Sequence, residues 1–154
     1  MQIAEMTPAR AAEIACWRYP APYDCYDMTG ADPAALADPG SGFFALTDET
    51  GLIGFRSFGP DGQVPGGAYD GSALDTGGGL RPDLTGRGLG REAIAAGLEF
   101  GRERFRPEAF RVTIAAFNVR AQRVVTALGF QPAGSFRGSA IGRDYVILTR
   151  PAAG

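Results

Sequence analysis

The segment LTGRGLGRE, residues 84–92, places three glycines at alternate positions directly before a helical pattern. Glycine is a poor helix former, so a helix start of this composition needs a physical reason. Bare backbone lets the unpaired amides of a first helical turn approach an anion such as a diphosphate. The local pattern leaves two interpretations open, a tight turn before a helix or an anion-binding loop.

Two common phosphate motifs do not fit this loop. A dinucleotide fingerprint, GxGxxG, counted from Gly86 would place its third glycine at Arg91. A phosphate loop of the GxxxxGK[ST] type needs a lysine, and all 15 basic residues of the chain are arginine. An anion held here would therefore meet main-chain amides first, with arginine as the only basic side chain nearby.

The absence of histidine and lysine also excludes several kinds of chemistry. Ser-His-Asp and Cys-His catalysis, the usual zinc sites and Schiff-base formation all need one of these residues. The two cysteines, Cys16 and Cys25, fit neither a CxxC motif nor a disulfide framework, so we interpret them as reduced packing thiols. No metal site is predicted.

The composition is that of an ordinary globular protein. The 154 residues fit a single domain, 1–154, with 45% hydrophobic residues and a net charge of −2. This charge gives no electrostatic case for binding nucleic acid or an anionic membrane. No apolar run approaches a membrane span, and the first residues do not resemble a signal peptide, so a cytoplasmic protein is expected.

The order of predicted elements indicates a mixed α/β (α+β) domain. Thr7 and Pro8 fit a helix start, and Asn118 fits the cap of a later helix that Gly129 ends. Between them Ile94, Leu98, Gly101 and Phe105 mark one helix face. The predicted strands cover residues 43–47, 52–58, 72–80, 110–117, 130–137 and 143–149.

Two blocks of this sequence, LRPDLTGRGLGREAI at 80–94 and NVRAQRVVTALGF at 118–130, resemble the GNAT superfamily of N-acetyltransferases. The family's loop, Arg/Gln-x-x-Gly-x-Gly/Ala, aligns on Thr85 to Gly90, and its later Asn-x-Arg-Ala and Gly-Phe elements align on Asn118 to Phe130. The resemblance implies a mostly antiparallel sheet in which two central parallel strands, 72–80 and 110–117, splay apart. Acetyl-CoA, the acyl donor, would enter that split.

The resemblance also implies which residues hold acetyl-CoA. Main-chain groups at the end of the first splayed strand would pair with the pantetheine arm, the glycine loop would hold the pyrophosphate, and Asn118 would contact the arm or cap its helix. Thr85 departs from the usual Arg or Gln. The predicted cofactor residues are Gly79, Leu80, Thr85, Gly86, Arg87, Gly88, Leu89, Gly90, Arg91 and Asn118.

For catalysis, the resemblance implies direct acetyl transfer to an amine, with a tyrosine four residues before Gly-Phe protonating the leaving thiolate. That position holds Val125, so Tyr145 is the candidate acid, with packing as its alternative role. Asp75 is the candidate base because family bases often lie on this strand, and a solvated or hydrogen-bonded carboxylate is the alternative. The Leu80 N–H is the expected oxyanion donor.

The segment WRYPAPYDCYDM is expected to shape the acceptor site, as the connection after the first helix does in the family. Its aromatic rings could pack the apolar part of an amine, and its aspartates could attract the charge, although the rings could instead complete the core. The candidates are Trp17, Tyr19, Tyr23, Asp24, Tyr26 and Asp27. The acceptor is unidentified, a homodimer is compatible with the sequence, and the alternative function is a non-catalytic acyl-CoA-binding module.

Overall fold

The computed structural model describes residues 1–153. Within these residues the chain forms seven strands and four helices. In chain order they are β1 (Gln2–Glu5), α1 (Pro8–Ala15), α2 (Pro33–Ala37), β2 (Phe43–Asp48), β3 (Gly51–Phe58), β4 (Leu74–Leu80), α3 (Gly90–Phe105), β5 (Ala109–Ala115), α4 (Val119–Ala127), β6 (Gln131–Arg137) and β7 (Asp144–Pro151).

Local sequence signals set the ends of two helices as predicted. The Thr7 side chain accepts the Arg10 N–H at 3.2 Å and caps α1, with Pro8 in its first turn. Asn118 caps α4 by accepting the Ala121 N–H at 3.1 Å. Gly129 follows α4 with φ +94°, a left-handed conformation that costs glycine little.

The strands form one sheet in the order β1-β2-β3-β4-β5-β7-β6. Every neighbouring pair is antiparallel except the central pair, β4 and β5, which are parallel. These two strands pair only at Leu74–Phe110 and Asp75–Arg111, although β4 continues to Leu80 and β5 to Ala115. They therefore splay apart towards their carboxyl ends, and the predicted GNAT-like fold is confirmed.

Within the described part of the chain, the two larger of three hydrophobic clusters lie on opposite faces of the sheet. Leu98 of α3 and Val125 of α4 pack with strand residues such as Phe110 on one side. Ile14 of α1 and Leu36 of α2 pack with a second group of residues on the other. Among residues 1–153 no other strand fills the gap between the separated carboxyl ends of β4 and β5. None of the helices among residues 1–153 is long and apolar enough to cross a membrane.

The main departure from the predicted elements is β1, which no sequence pattern indicated. It is a four-residue strand at the edge of the sheet that pairs Gln2 with Thr47 and Glu5 with Phe44. A strand this short has too few alternating residues to be recognised alone, and its pairing with β2 defines it. β4 also begins later than predicted, because Asp70 accepts the Ser72 N–H in a turn.

Candidate active site

The split between β4 and β5 exposes one edge of β4. Arg81 N–H donates to Ile53 O and Gly59 N–H donates to Asp75 O, both at 2.8 Å. In an antiparallel ladder alternate residues direct their main-chain groups to opposite edges. Gly77 and Gly79 therefore pair with β3, whereas Thr76, Gly78 and Leu80 direct their main-chain groups away from β3. The main-chain groups of Gly78 and Leu80 face the split.

This alternation corrects one predicted contact. Gly79 lies opposite Phe55 in the register, and its N–H and C=O belong to the ladder with β3. Gly78, one residue earlier, is exposed and takes its place on the open edge. The edge that a pantetheine arm could pair with is thus formed by Gly78 and Leu80, because a strand offers only every second residue to each side.

Tyr19 holds the loop after α1 against this edge. Its hydroxyl donates to Leu80 O at 2.6 Å, and its own N–H donates to Asp27 Oδ1 at 2.9 Å. Burial, with a smaller effect of the Asp27 charge, raises the pKa of Tyr19 to about 12. Tyr19 and Asp27 therefore position the loop and the end of β4, and the Tyr19 hydroxyl stays protonated at neutral pH.

The glycine loop leads from the open edge into α3. Gly86 and Gly88 have φ +75° and +79°, so both need glycine for their conformation. α3 begins at Gly90 after Leu89, with no side-chain cap on its first amides. An uncapped first turn presents free N–H donors and the positive end of the helix dipole. This arrangement suits an anion, as the sequence predicted.

The side chains around the loop supply its charge. Thr85 donates its hydroxyl to Pro82 O at 2.7 Å, which fixes the turn and engages the proton that was expected to face a phosphate. Arg87 and Arg91 are exposed beside the loop. Arg120 joins them from α4, since a Cβ built on Gly86 would lie 3.6 Å from Arg120 Nη1. Arg120 stands in the second motif, but sequence alone did not bring it to the loop.

Asn118 links the start of α4 to the loop after α1. It is buried, its side-chain oxygen caps the helix, and its Nδ2 donates to the Tyr26 hydroxyl at 3.0 Å. The Tyr26 oxygen is an acceptor in this bond, so its own proton is available for another partner. Burial raises the pKa of Tyr26 above its ordinary value.

Three aromatic rings, Tyr23, Tyr26 and Phe117, form an aromatic cluster beside Asn118. Phe117 lies 5.8 Å from Tyr23 and 6.3 Å from Tyr26 between ring centroids. Arg120 covers the Tyr23 ring at 4.5 Å and Arg143 covers the Phe117 ring at 5.4 Å. Of the rings that the sequence analysis offered to a substrate cation, Tyr23 thus already has an arginine over one face.

Trp17 and Asp24, two other predicted acceptor residues, lie in different places, one in the core and one at the surface. Trp17 is only 8% exposed and packs with Ile14, Leu36 and Phe43 in the core beneath α1 and α2. It completes that core and does not line the split, because the chain turns inward directly after α1. Asp24 is exposed on the turn that carries Tyr23 and Tyr26.

Asp75 does not point into the split as expected. Its carboxylate is buried and accepts three hydrogen bonds, from Arg111 Nε at 2.7 Å, Arg111 Nη2 at 2.8 Å and Gln63 Nε2 at 3.0 Å. Arg111 also contacts Asp70. Asp75 is therefore the buried ion-pair partner of Arg111, and this geometry does not support it as the base.

The position of the usual tyrosine acid is closed in this chain. Val125 is 2% exposed in the core that α3 and α4 share. Tyr145 lies on β7 opposite Ala115 and stacks on Phe136, with centroids 5.5 Å apart. It lies close enough to Tyr26 to contribute to that residue's raised pKa, as a smaller influence than burial.

Comparison of the sequence with protein families agrees with this geometry. A family model described as an acetyltransferase (GNAT) domain matches residues 4–131, most of the chain. The chain belongs to the GNAT family of acetyltransferases. It is accordingly an acyltransferase, as its sequence motifs predicted. No curated protein matches the chain.

Solved structures show the same fold as this GNAT acetyltransferase at low sequence identity. A GNAT-family acetyltransferase from Bacillus anthracis has a TM-score of 0.75 at 15% identity, covering 99% of this chain and 95% of that chain. A spermidine N-acetyltransferase chimera of Vibrio cholerae and hSSAT has 0.75 at 13%, covering 99% and 97%. The Vibrio cholerae spermidine N-acetyltransferase in complex with CoA and spermine has 0.59 at 17%, covering 72% and 65%.

Sequence reasoning did not single out three buried polar residues near the split, Arg56, Thr76 and Arg111. Each is buried on a strand that borders the split or on its neighbour. The available signal was a charged or hydroxyl side chain inside an otherwise apolar strand, as Arg56 is in GLIGFRSF. Among residues 1–153 no three His, Cys, Asp or Glu side chains form a cluster that could hold a metal ion.

Proposed function

We propose that this GNAT acetyltransferase transfers an acetyl group from acetyl-CoA directly to a primary amine of a small molecule or peptide. The observation that carries the proposal is the open β4 edge at Gly78 and Leu80, followed along the chain by the uncapped start of α3. The pantetheine arm of acetyl-CoA pairs with the β4 edge as an added strand would, and its diphosphate binds the free amides at the start of α3.

The glycine loop holds the pyrophosphate in this proposal. Gly86 and Gly88 keep side chains away from the diphosphate, and the first amides of α3 donate to it. Arg87, Arg91 and Arg120 supply positive charge near the loop, which compensates for Thr85 in place of Arg or Gln. The Vibrio cholerae enzyme with the same fold binds CoA and spermine, which supports CoA as the ligand class.

The main-chain edge places the thioester. An N–H of Gly78 or Leu80 stabilises the oxyanion that forms when the amine nitrogen attacks the thioester carbon. The Tyr19 hydroxyl bond to Leu80 O keeps this segment of β4 in place. The carbon–sulfur bond then breaks, a carbon–nitrogen bond has formed, and CoA leaves as a thiolate.

Tyr26 is our candidate for the proton donor to that thiolate. Asn118 donates to the Tyr26 oxygen, which orients the ring and leaves the phenolic proton free for the sulfur. Tyr145 lies behind it and is the second candidate. The amine loses its proton to solvent, because Asp75 is engaged by Arg111 and the exposed Asp24 is suited only to attracting the charged amine.

Two measurements on the full chain test the proposal. Calorimetry with CoA, acetyl-CoA and NAD should show binding of both CoA compounds and none of NAD. Thiol release from acetyl-CoA should then rise with at least one member of an amine panel that includes polyamines, amino acids, aminoglycosides and peptide N-termini. Failure to bind CoA would overturn the proposal, and binding without turnover would indicate the acyl-CoA-binding module instead.

A further inference from the structure

Arg56 is a buried cation without a counter-ion. Its side chain on β3 is 6% exposed, and its Nε has no hydrogen-bond partner among residues 1–153. It takes part in none of the ion pairs found within those residues. A second orphaned group, Thr76 Oγ1 on β4, is buried at 3% exposure. Buried polar groups are nearly always paired, so two unpaired ones together need an explanation.

The two orphaned groups lie on the same face of the sheet, on the neighbouring strands β3 and β4. Arg56 is directly opposite Gly78 in the β3–β4 register, and Thr76 is two residues from Gly78, so all three share the face covered by α3. A Cβ built on Gly78 would lie 2.5 Å from Arg56 Nη1. The guanidinium therefore rests against the residue whose main chain borders the open edge.

Two glycines make room for this guanidinium. A Cβ on Gly97 of α3 would lie 2.8 Å from Arg56 Nε, while Gly78 provides the space on β4. Glycine is unfavourable inside a helix relative to alanine, and the Arg56 side chain accounts for its presence at Gly97. The polar head is held in a fitted space between α3 and β4.

Arg111 provides an internal comparison. It is equally buried, but Asp75 and Asp70 pair with it and raise its pKa. For Arg56 burial alone acts, lowering its pKa to about 10, and no carboxylate opposes that effect. Arg56 thus remains charged at neutral pH in a place where an unpaired charge is costly. An anion delivered with the substrate would remove that cost.

We propose that the acyl-donor site takes a short acyl chain ending in a carboxylate, such as malonyl- or succinyl-CoA, with Arg56 and Thr76 binding the carboxylate. The inference rests on the proposed function in requiring a CoA thioester in the split, and it changes which acyl chain is preferred. Arg56 donates to the carboxylate as a charged fork, and the Thr76 hydroxyl adds a third donor. The methyl of an acetyl group would leave both unpaired.

Transfer of a carboxylated acyl group forms and breaks the same bonds as acetyl transfer. The amine nitrogen bonds to the thioester carbon, and the carbon–sulfur bond breaks. The nitrogen loses one proton to solvent, and the CoA sulfur gains one. The distal carboxylate takes no part in bond making, so the product is an amide that ends in a carboxylate.

The test compares donors of matched chain length on the intact protein. Calorimetry measures the Kd of succinyl-CoA against butyryl-CoA and of malonyl-CoA against propionyl-CoA. We expect each carboxylated donor to bind about tenfold to a hundredfold more tightly than its neutral partner, the range of hydrogen bonds to a charged group. If the unmodified protein binds the carboxylated donors no more tightly than their neutral partners, the inference is overturned.

Variants then assign the effect to the two side chains. Arg56→Met should remove the preference while the Kd of free CoA stays unchanged, and Thr76→Val should reduce it. Arg56→Lys keeps the charge and should retain part of the preference even if Arg56→Met fails to fold. A folded Arg56→Met that weakens free CoA and all donors equally would contradict the inference. No binding of any CoA compound would overturn the proposed function instead.

Discussion

Arg111 donates two hydrogen bonds to Asp75, from Nε to Oδ1 at 2.7 Å and from Nη2 to Oδ2 at 2.8 Å. The two residues are partners in the β4–β5 register, at the last position where these strands pair. Beyond them the strands separate. The ion pair therefore closes the vertex of the split, and it does so on the sheet face opposite to Arg56 and Thr76.

Replacing Asp75 with Asn should lower stability by about 3–5 kcal/mol, because it leaves the Arg111 charge buried without its partner. The pH dependence of kcat should keep its shape, since Asp75 is not the base. Denaturant unfolding and pH–rate profiles measure the two effects. The control is Asp70→Asn, which removes an exposed contact to the same Arg111 and should change the midpoint very little. If the pH–rate profile of Asp75→Asn loses a titrating limb and that of Asp70→Asn does not, Asp75 is the base after all.

Gly88→Ala should weaken CoA binding, and Gly129→Ala should not. Both positions have positive φ and open space around the missing side chain, so the backbone strain is similar, about 1 kcal/mol or somewhat more. Only Gly88 lies on the path of the diphosphate. Calorimetry with CoA, together with thermal unfolding of both variants, separates strain from binding. Equal CoA affinities in the two variants would contradict the pyrophosphate position.

Tyr19→Phe should lower stability by about 1 kcal/mol at neutral pH, because it removes the hydrogen bond to Leu80 O. The Tyr19 pKa rises from 10.0 to about 12 on folding. The folded state therefore binds this proton more tightly, and the contribution is complete below pH 10 and is lost as the pH rises through 12. Chemical unfolding at pH 8 and at pH 11 should show the gap between wild type and variant narrowing. A constant gap would argue against a shifted tyrosine.

Tyr26→Phe should reduce kcat by about 10²-fold, the low end for proton transfer, because a thiolate is a tolerable leaving group. The KM for acetyl-CoA should change less, since Asn118 still caps α4. Steady-state thiol release measures both constants. Tyr145→Phe is the matched variant: a larger fall in its kcat than in that of Tyr26→Phe would transfer the role to Tyr145.

The local signals in the sequence identified most elements and the family. Thr7, Asn118 and Gly129 set helix ends through their own side chains or backbone freedom, so neighbouring residues suffice to recognise them. The glycine loop was recognised for the same reason, since Gly86 and Gly88 carry their conformation wherever the helix packs. β1 escaped detection because its identity lies in pairing with a strand about forty residues away.

Contacts between distant residues decided the chemistry of the site. Sequence places Asp75 on a strand near the split, and only the parallel register brings Arg111 across to neutralise it. Sequence likewise shows Arg56 only as a charged residue within an apolar strand, and burial between Gly78 and Gly97 is what leaves it an unpaired cation among residues 1–153. The sequence by itself thus determined the family and its glycine loop, because these depend on adjacent residues. Tertiary structure decided which charges are free to act, because pairing and burial arise between residues far apart in the chain.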